Sequence, residues 1–197
     1  MKAEERKKHI LEAALEAFAE HGYERTSIAI ICEKAGIARP TLYQYFKDKR
    51  SVFRELLESY LTEIHKKLHA RQQAKDGPKK LSPRETMQSL HNELLEEFVN
   101  NRNLYTILFK EAKARNAETE DIVNGIMQGM INEFIHELEE LPVSETLGEK
   151  DIEVMVIYMI GGLLQTVEYY LFDNKNTLST QELADKITFI ESRIKGV

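Results

Sequence analysis

From residue 4 to about residue 195, apolar side chains recur at spacings of three and four with few interruptions. That period is helical, and no stretch alternates in the manner of a strand. With 9 Gly and 4 Pro in 197 residues, the chain also lacks the punctuation that short strands and tight hairpins need. The expected fold class is therefore all-α, with about nine helices and enough length to bury a real core. Helices are expected over 4–21, in two short pieces between Ile28 and Phe46, and over 48–73, 84–100, 102–115, 118–140, 150–173 and 179–195. Gly22 stops the first, Thr26 or Ser27 caps the second, and Pro40 suits the first turn of the third. The stretch from Lys75 to Pro83 reads as the clearest linker.

Charge is unevenly spread. Residues 1–75 hold 15 Lys and Arg against 11 Asp and Glu, and the remainder holds 12 against 22. Six basic residues (Lys34, Arg39, Lys47, Lys49, Arg50, Arg54) fall within 34–54 beside a single acid, Asp48. A net charge of −6 thus conceals a basic patch on an acidic body, as expected of a module that faces a polyanion. The lone Cys32 excludes a disulfide framework and a cysteine-rich zinc module. The charged N-terminus carries no apolar leader core. The longest uncharged apolar stretch, Val154 to Val167, falls short of the ~20 residues a bilayer requires. The expectation is a cytoplasmic protein without a membrane partner.

The two short helices meet at Ala35-Gly36, the pattern of a helix-turn-helix. At about 100° per residue, Leu42 and Phe46 share one side of the second helix and must pack inward. Gln44 points the opposite way, Thr41 lies beside it, Arg39 stands at the entrance, and Tyr43 and Tyr45 flank Gln44. This set suits a major groove. Gln pairs with adenine, Arg with guanine, and the Thr methyl touches thymine. Tyrosine hydroxyls, Lys49 and the helix start at Thr26 and Ser27 suit phosphates. On the residues alone this is a candidate DNA-binding module, and two other readings stay open. One is a helical enzyme or metal-binding bundle in which the module only packs; the other is an adaptor that binds another protein through the acidic body.

The string Ile10-Leu11-x-Ala13-Ala14-x-x-x-Phe18, Gly22-Tyr23-x-x-Thr26-Ser27, Ile31, Ala35-Gly36-Ile37, Leu42-Tyr43-x-Tyr45-Phe46-x-x-Lys49 and Phe53 closely resembles the N-terminal domain of the TetR family of bacterial transcriptional regulators. The resemblance covers residues 10–56. It implies a helix-turn-helix DNA-binding domain over 1–48 and a ligand-binding and dimerisation domain over 49–197. It also implies a repressor that binds a palindromic operator in double-stranded DNA as a homodimer and is released by a small effector. Carried over by position, Arg39, Thr41 and Gln44 are base readers, and Tyr43, Tyr45, Lys49 and Thr26 are phosphate contacts. Ser27 and Pro40 complete the DNA-facing set. Arg39-Pro40 departs from the small residue and glycine of many members, so the operator cannot be borrowed from a relative.

Behind the head, Val154 to Leu164 is apolar on every side, which predicts an enclosed helix. Gly161-Gly162 costs about 1 kcal/mol per residue relative to Ala, so close backbone approach is expected there. The resemblance implies dimerisation through helices 150–173 and 179–195. A ligand pocket is expected among Tyr60, Ile64, His65, His91, Leu94, Phe98, Tyr105, Phe109, Met127, Met130, Tyr158, Gln165 and Tyr169. Their Met- and Tyr-rich character suits a lipophilic effector such as a drug, dye or acyl chain. No catalytic site, metal site or cofactor is expected. His65 and His69 lack a third ligand, Glu133-x-x-His136 lacks the second copy that a di-iron bundle needs, and no phosphate loop or nucleophile elbow is present.

Overall fold

The computed structural model describes residues 2–74, 83–139, 148–172 and 178–194; the expected linker at 75–82 and the turn-rich stretch around Pro142 lie outside them. Among the described residues the chain is helical and contains no strand. The helices are α1 (Ala3–Arg25), α2 (Ile28–Ala35), α3 (Arg39–Tyr43), α4 (Lys49–Ala74), α5 (Pro83–Asn100), α6 (Arg102–Ala114), α7 (Glu120–Glu139), α8 (Glu149–Val167) and α9 (Thr180–Ile194). A π-helical turn, Glu168–Phe172, continues α8. The chain gathers into two compact units, Met1–Lys67 with Asn103–Thr146, and Leu68–Arg102 with Leu147–Val197.

The first unit forms around α1. Ile10, Ala14, Ala17 and Phe18 recur at helical spacing and are fully buried, as are Ile31, Leu42, Val52 and Phe53. The Phe18 ring stacks on Tyr23 at 5.8 Å and meets Phe53 edge-on at 5.2 Å, while Tyr23 and Phe53 close the triangle at 5.0 Å. These are the offset and edge-to-face arrangements that aromatic quadrupoles favour. Gly22 breaks α1 where expected, with φ +76° and ψ 167°, a region essentially reserved for glycine. Gly22→Ala is expected to destabilise the fold by about 1–3 kcal/mol. Calorimetry checks this, and an unchanged Tm would mean that the break tolerates a side chain.

The Ser27 hydroxyl accepts the Ile30 N–H at 3.3 Å and starts α2, and Gly36 ends it in the left-handed region. The third helix differs from expectation. It begins at Arg39, but α-geometry stops at Tyr43 rather than Phe46. The Gln44 and Tyr45 amides donate three residues back, to the Thr41 and Leu42 carbonyls at 3.3 and 2.9 Å. This is the tightened last turn by which short helices satisfy their end carbonyls. Asp48 then caps α4, whose start was expected at residue 48. Its carboxylate accepts the Ser51 N–H at 2.7 Å, and the Ser51 hydroxyl accepts the Asp48 N–H at 3.0 Å.

In the second unit α5 packs on α9. A buried His91–Thr188 hydrogen bond of 2.9 Å and a Gln88–Asp185 bond of 2.5 Å join them. Ile152, Val156, Ile160 and Val167 form the buried stripe of α8. The opposite side corrects the expectation of an enclosed helix. Val154 is 66% exposed and Tyr158 78%, with Ile157 also exposed. A Cβ built on Gly161 or Gly162 would meet nothing within 4 Å, so no close approach occurs there within one chain. Helix and π turn together run 24 residues, with mean hydropathy 1.4 in the most apolar window, long and apolar enough to cross a membrane by length and composition. The apolar run read as too short for a bilayer is the middle of this longer helix, which continues past the fencing Glu153 and Glu168. At the end of the π turn Arg102 donates to the Leu171 and Phe172 carbonyls at 2.6 and 3.4 Å, satisfying acceptors that a helix end leaves open.

Candidate nucleic-acid interface

Burial divides α3 as helical spacing requires. Leu42 and Phe46 are buried, and Arg39, Pro40, Tyr43 and Gln44 are exposed, with Thr41 and Tyr45 half-buried. The two tyrosines are not symmetric flanks. The tightened turn advances about 120° per residue instead of 100°, and Tyr43 is 54% exposed where Tyr45 is partly covered. Ser27 is exposed at the start of α2. The result is a polar face on an apolar support, and its groups can donate to base edges and phosphates.

Two residues assigned to phosphate contact also hold carbonyls within the fold. Thr26 is buried, and its hydroxyl donates to the Ala17 and Gly22 carbonyls at 3.1 and 2.7 Å. The Lys49 ammonium donates to the Tyr23 and Glu24 carbonyls at 2.9 and 3.4 Å and sits 4.0 Å from the centre of the Tyr23 ring. Both close the bend that Gly22 opens.

Most of the basic patch is engaged within the fold. Lys34 lies between Glu20 at 2.8 Å and Glu16 at 3.8 Å; the Glu20 contact raises its pKa and lowers that of Glu20. Arg50 grips both carboxylate oxygens of Asp121 at 2.7 and 2.6 Å and donates to the Glu118 carbonyl at 2.8 Å. Arg54 reaches the same carboxylate at 3.1 Å.

Sequence reasoning missed the partners of this clamp. Glu111, buried on α6, accepts the Tyr23 N–H at 3.1 Å and the Thr119 hydroxyl at 3.3 Å. Glu118 accepts the Tyr23 hydroxyl at 3.0 Å. Burial, then this carboxylate, push the Tyr23 phenol upward. A signal for Glu111 existed: Leu104, Leu108 and Glu111 share one helical face, and an acid in an apolar stripe requires donors. Nothing in the local sequence marks Glu118 or Asp121.

The Asp121 carboxyl is held below the usual aspartate range, first by its hydrogen bond to Arg50 and then by Arg54. A folded pKa depressed in this way adds stability that is complete above the unfolded pKa, near 3.9. That stability is lost as pH falls from there through the lower folded value. Wild type is therefore expected to exceed Asp121→Asn in stability at neutral pH, and the two should converge in acid. Denaturant titrations across pH check this, and parallel curves would remove the clamp from the acid response.

The expected ligand residues fall in both compact units. Ile64, His65 and Leu94 lie outside the residues whose side chains are described. In the first unit Tyr105 and Met130 are buried, Tyr60, Phe109 and Met127 are half-buried, and the Tyr105 and Phe109 rings lie 6.5 Å apart. In the second unit Phe98 and His91 are buried, whereas Tyr158, Gln165 and Tyr169 are exposed along the outer side of α8 and its π turn. A groove of about 750 Å³ between α5 and α9 is lined by Gln88, Glu182, Asp185, Lys186, Thr188, Phe189 and Ile190, none of them among the expected ligand residues. Among the described residues, no three His, Cys, Asp or Glu side chains converge as metal ligands.

Residues 10–56 match the model of the bacterial regulatory proteins of the tetR family. That match falls on the helix-turn-helix just described. Over that head the chain is similar to the TetR family of bacterial transcriptional regulators. It is 30% identical over 127 residues to the fatty acid metabolism regulator protein of Bacillus subtilis, covering 62% of this chain and 61% of that protein. It thus spans less than two thirds of the curated relatives it matches. Two solved structures share this fold along nearly the whole chain. FadR of Bacillus subtilis in complex with stearoyl-CoA has a TM-score of 0.77 at 21% identity and covers 96% of this chain and 98% of that one. The fatty acid degradation regulator FadR of Bacillus halodurans has a TM-score of 0.77 at 20% identity, with 96% of each chain covered.

Proposed function

We propose that this protein is a cytoplasmic repressor of the TetR family that reads a palindromic operator as a homodimer and is released by a long-chain acyl thioester. The observation that carries the DNA reading is the division of α3, with Leu42 and Phe46 buried and Arg39, Pro40, Tyr43 and Gln44 presented outward. In this reading the head (1–48) enters the major groove. Arg39, Thr41 and Gln44 read bases, Ser27, Tyr43 and Tyr45 meet phosphates, and Pro40 stiffens the entrance. Thr26 and Lys49 shape the platform through their carbonyl contacts.

The dimer reading rests on α8 and α9. Val154, Ile157, Tyr158, Gly161 and Gln165 occupy one side of α8 at i, i+3, i+4, i+7 and i+11, and Phe189 and Ile190 of α9 are exposed as well. An apolar face of this kind is uncommon on a monomer. A second copy of the same face supplies the close partner that Gly161 and Gly162 lack within one chain, and two-fold pairing matches a palindrome. The effector class rests on the two FadR structures and the B. subtilis relative, together with the apolar side chains Phe98, Tyr105 and Met130.

The test is selection from random duplex DNA, followed by titration of the bound complex with stearoyl-CoA or with free CoA. A palindromic consensus is expected, and Gln44→Ala should weaken its binding by about 1–3 kcal/mol for each bidentate base pair lost, a factor of roughly 10–100. Stearoyl-CoA should release the complex where free CoA does not. No enrichment at low salt, even after refolding to strip bound ligand, would overturn the DNA reading in favour of the adaptor or metal-bundle alternatives. Release by free CoA alone would overturn the effector class.

A further inference from the structure

We propose that His9 is a positioning residue of this head: from α1 it holds the turn that aims α3, and so sets how sharply the recognition face tells one DNA sequence from another. This rests on the DNA-binding reading above. The third helix has five residues, far fewer than the roughly 12 a helix needs to persist by itself, so its direction is set by what surrounds it. Leu42 and Phe46 fix its inner side. Its entrance is the turn Gly36-Ile37-Ala38, where Gly36 stands at φ +61°, a region in which glycine moves freely. The Gly36 and Ile37 amides close the turn on α2, donating to the Glu33 and Cys32 carbonyls at 3.1 and 3.0 Å. The carbonyl of Ala35, the last residue of α2, is left over. Ala35 is buried, and among the described residues no backbone N–H is bonded to its oxygen. The His9 ring, 26 residues earlier in the chain, meets that oxygen at 3.0 Å through Nε2. A carbonyl only accepts, so Nε2 carries the hydrogen. Lys7, on the same stretch of α1, pairs with Glu55 of α4, and its ammonium stands 6.0 Å from the centre of the Phe46 ring. The start of α1 thus touches both ends of the recognition element, Ala35 before α3 and Phe46 after it. Without the His9 donor a buried carbonyl loses its partner, and the adjustment that returns it to water runs through the Gly36 turn and tilts α3. Paired hydrogen bonds to base edges tolerate little tilt, whereas the grip on phosphates is independent of sequence.

The experiment is fluorescence anisotropy of the full-length protein on its selected duplex and on a scrambled one, across a salt series, with hydrogen exchange followed at the Gly36 and Ile37 amides. His9→Leu keeps the bulk of the ring and removes the donor, and His9→Gln places an amide N–H near the reach of Nε2. His9→Leu is expected to bind the selected duplex about 3- to 10-fold more weakly per head, the range of one net hydrogen bond. Its affinity for the scrambled duplex and its salt slope should stay at the wild-type values, and the two turn amides should exchange faster. His9→Gln should restore both the selectivity and the slow exchange. An unchanged selected-to-scrambled ratio in folded His9→Leu would overturn the inference while leaving DNA binding intact. An equal loss on both duplexes with a shallower salt slope would also overturn it, because His9 would then be meeting phosphate itself. Where His9→Leu does not fold, His9→Ala is read in its place, and failure of both to fold would replace the positioning role by a structural one. Absence of sequence-selective binding by wild type would overturn the DNA reading itself, and this inference with it.

Discussion

Replacing Phe18 by alanine is expected to leave the head unfolded at temperatures where the wild type is folded. Phe18 is fully buried and touches both other rings of the aromatic triangle. Truncating such a residue removes its transfer free energy and leaves a cavity, together about 3–5 kcal/mol. That is a large fraction of the 5–15 kcal/mol by which domains of this size are stable. Tyr23 would lose its stacking partner, and the Tyr23 N–H sits on Glu111 while its carbonyl holds Lys49, so the damage should spread to the bend between α1 and α2. Urea titration followed by circular dichroism checks this. A loss below 1 kcal/mol would mean that the site collapses around the gap and that the triangle is not the centre of the unit.

On the dimer reading proposed above, Gly161→Arg is expected to have the opposite profile, with a folded protomer and a lost dimer. Nothing in the chain lies within 4 Å of a Cβ at position 161, and a helix interior prefers almost any side chain to glycine by several tenths of a kcal/mol. The protomer should therefore melt no lower than wild type. Across a two-fold axis the same substitution brings two guanidinium groups onto an apolar face, where juxtaposed like charges cost several kcal/mol. Operator affinity is expected to fall by about 100-fold or more, since each 1.4 kcal/mol is tenfold. Sedimentation velocity reads the monomer and anisotropy the affinity. A variant that sediments as wild-type dimer would place the dimer face elsewhere on the molecule.

How far these features were legible beforehand differs by element. Periodicity alone located nearly all of the helices, because a helix that buries a stripe must repeat it every three or four residues. The cap at Thr26 or Ser27 and the stop at Gly22 were equally plain, since each answers a need of the local backbone. The end of α3 was not, because a tightened final turn leaves the same apolar pair, Leu42 and Phe46, facing inward. The side of α8 that stays exposed was also hidden. A helix apolar all round has the same composition whether its second face meets its own chain or another copy.

The amino-acid sequence by itself determined the helical class, the order of the elements and the outward set on α3, because these depend on spacings of fewer than ten residues. Tertiary structure alone decided which of six neighbouring cations are held by partners within the fold. Asp121 lies 71 residues from Arg50, and Glu111 lies 88 from Tyr23. Charge counted along a chain takes no account of partners brought in by the fold, and at contact distances those partners, rather than net charge, set what each side chain can still bind.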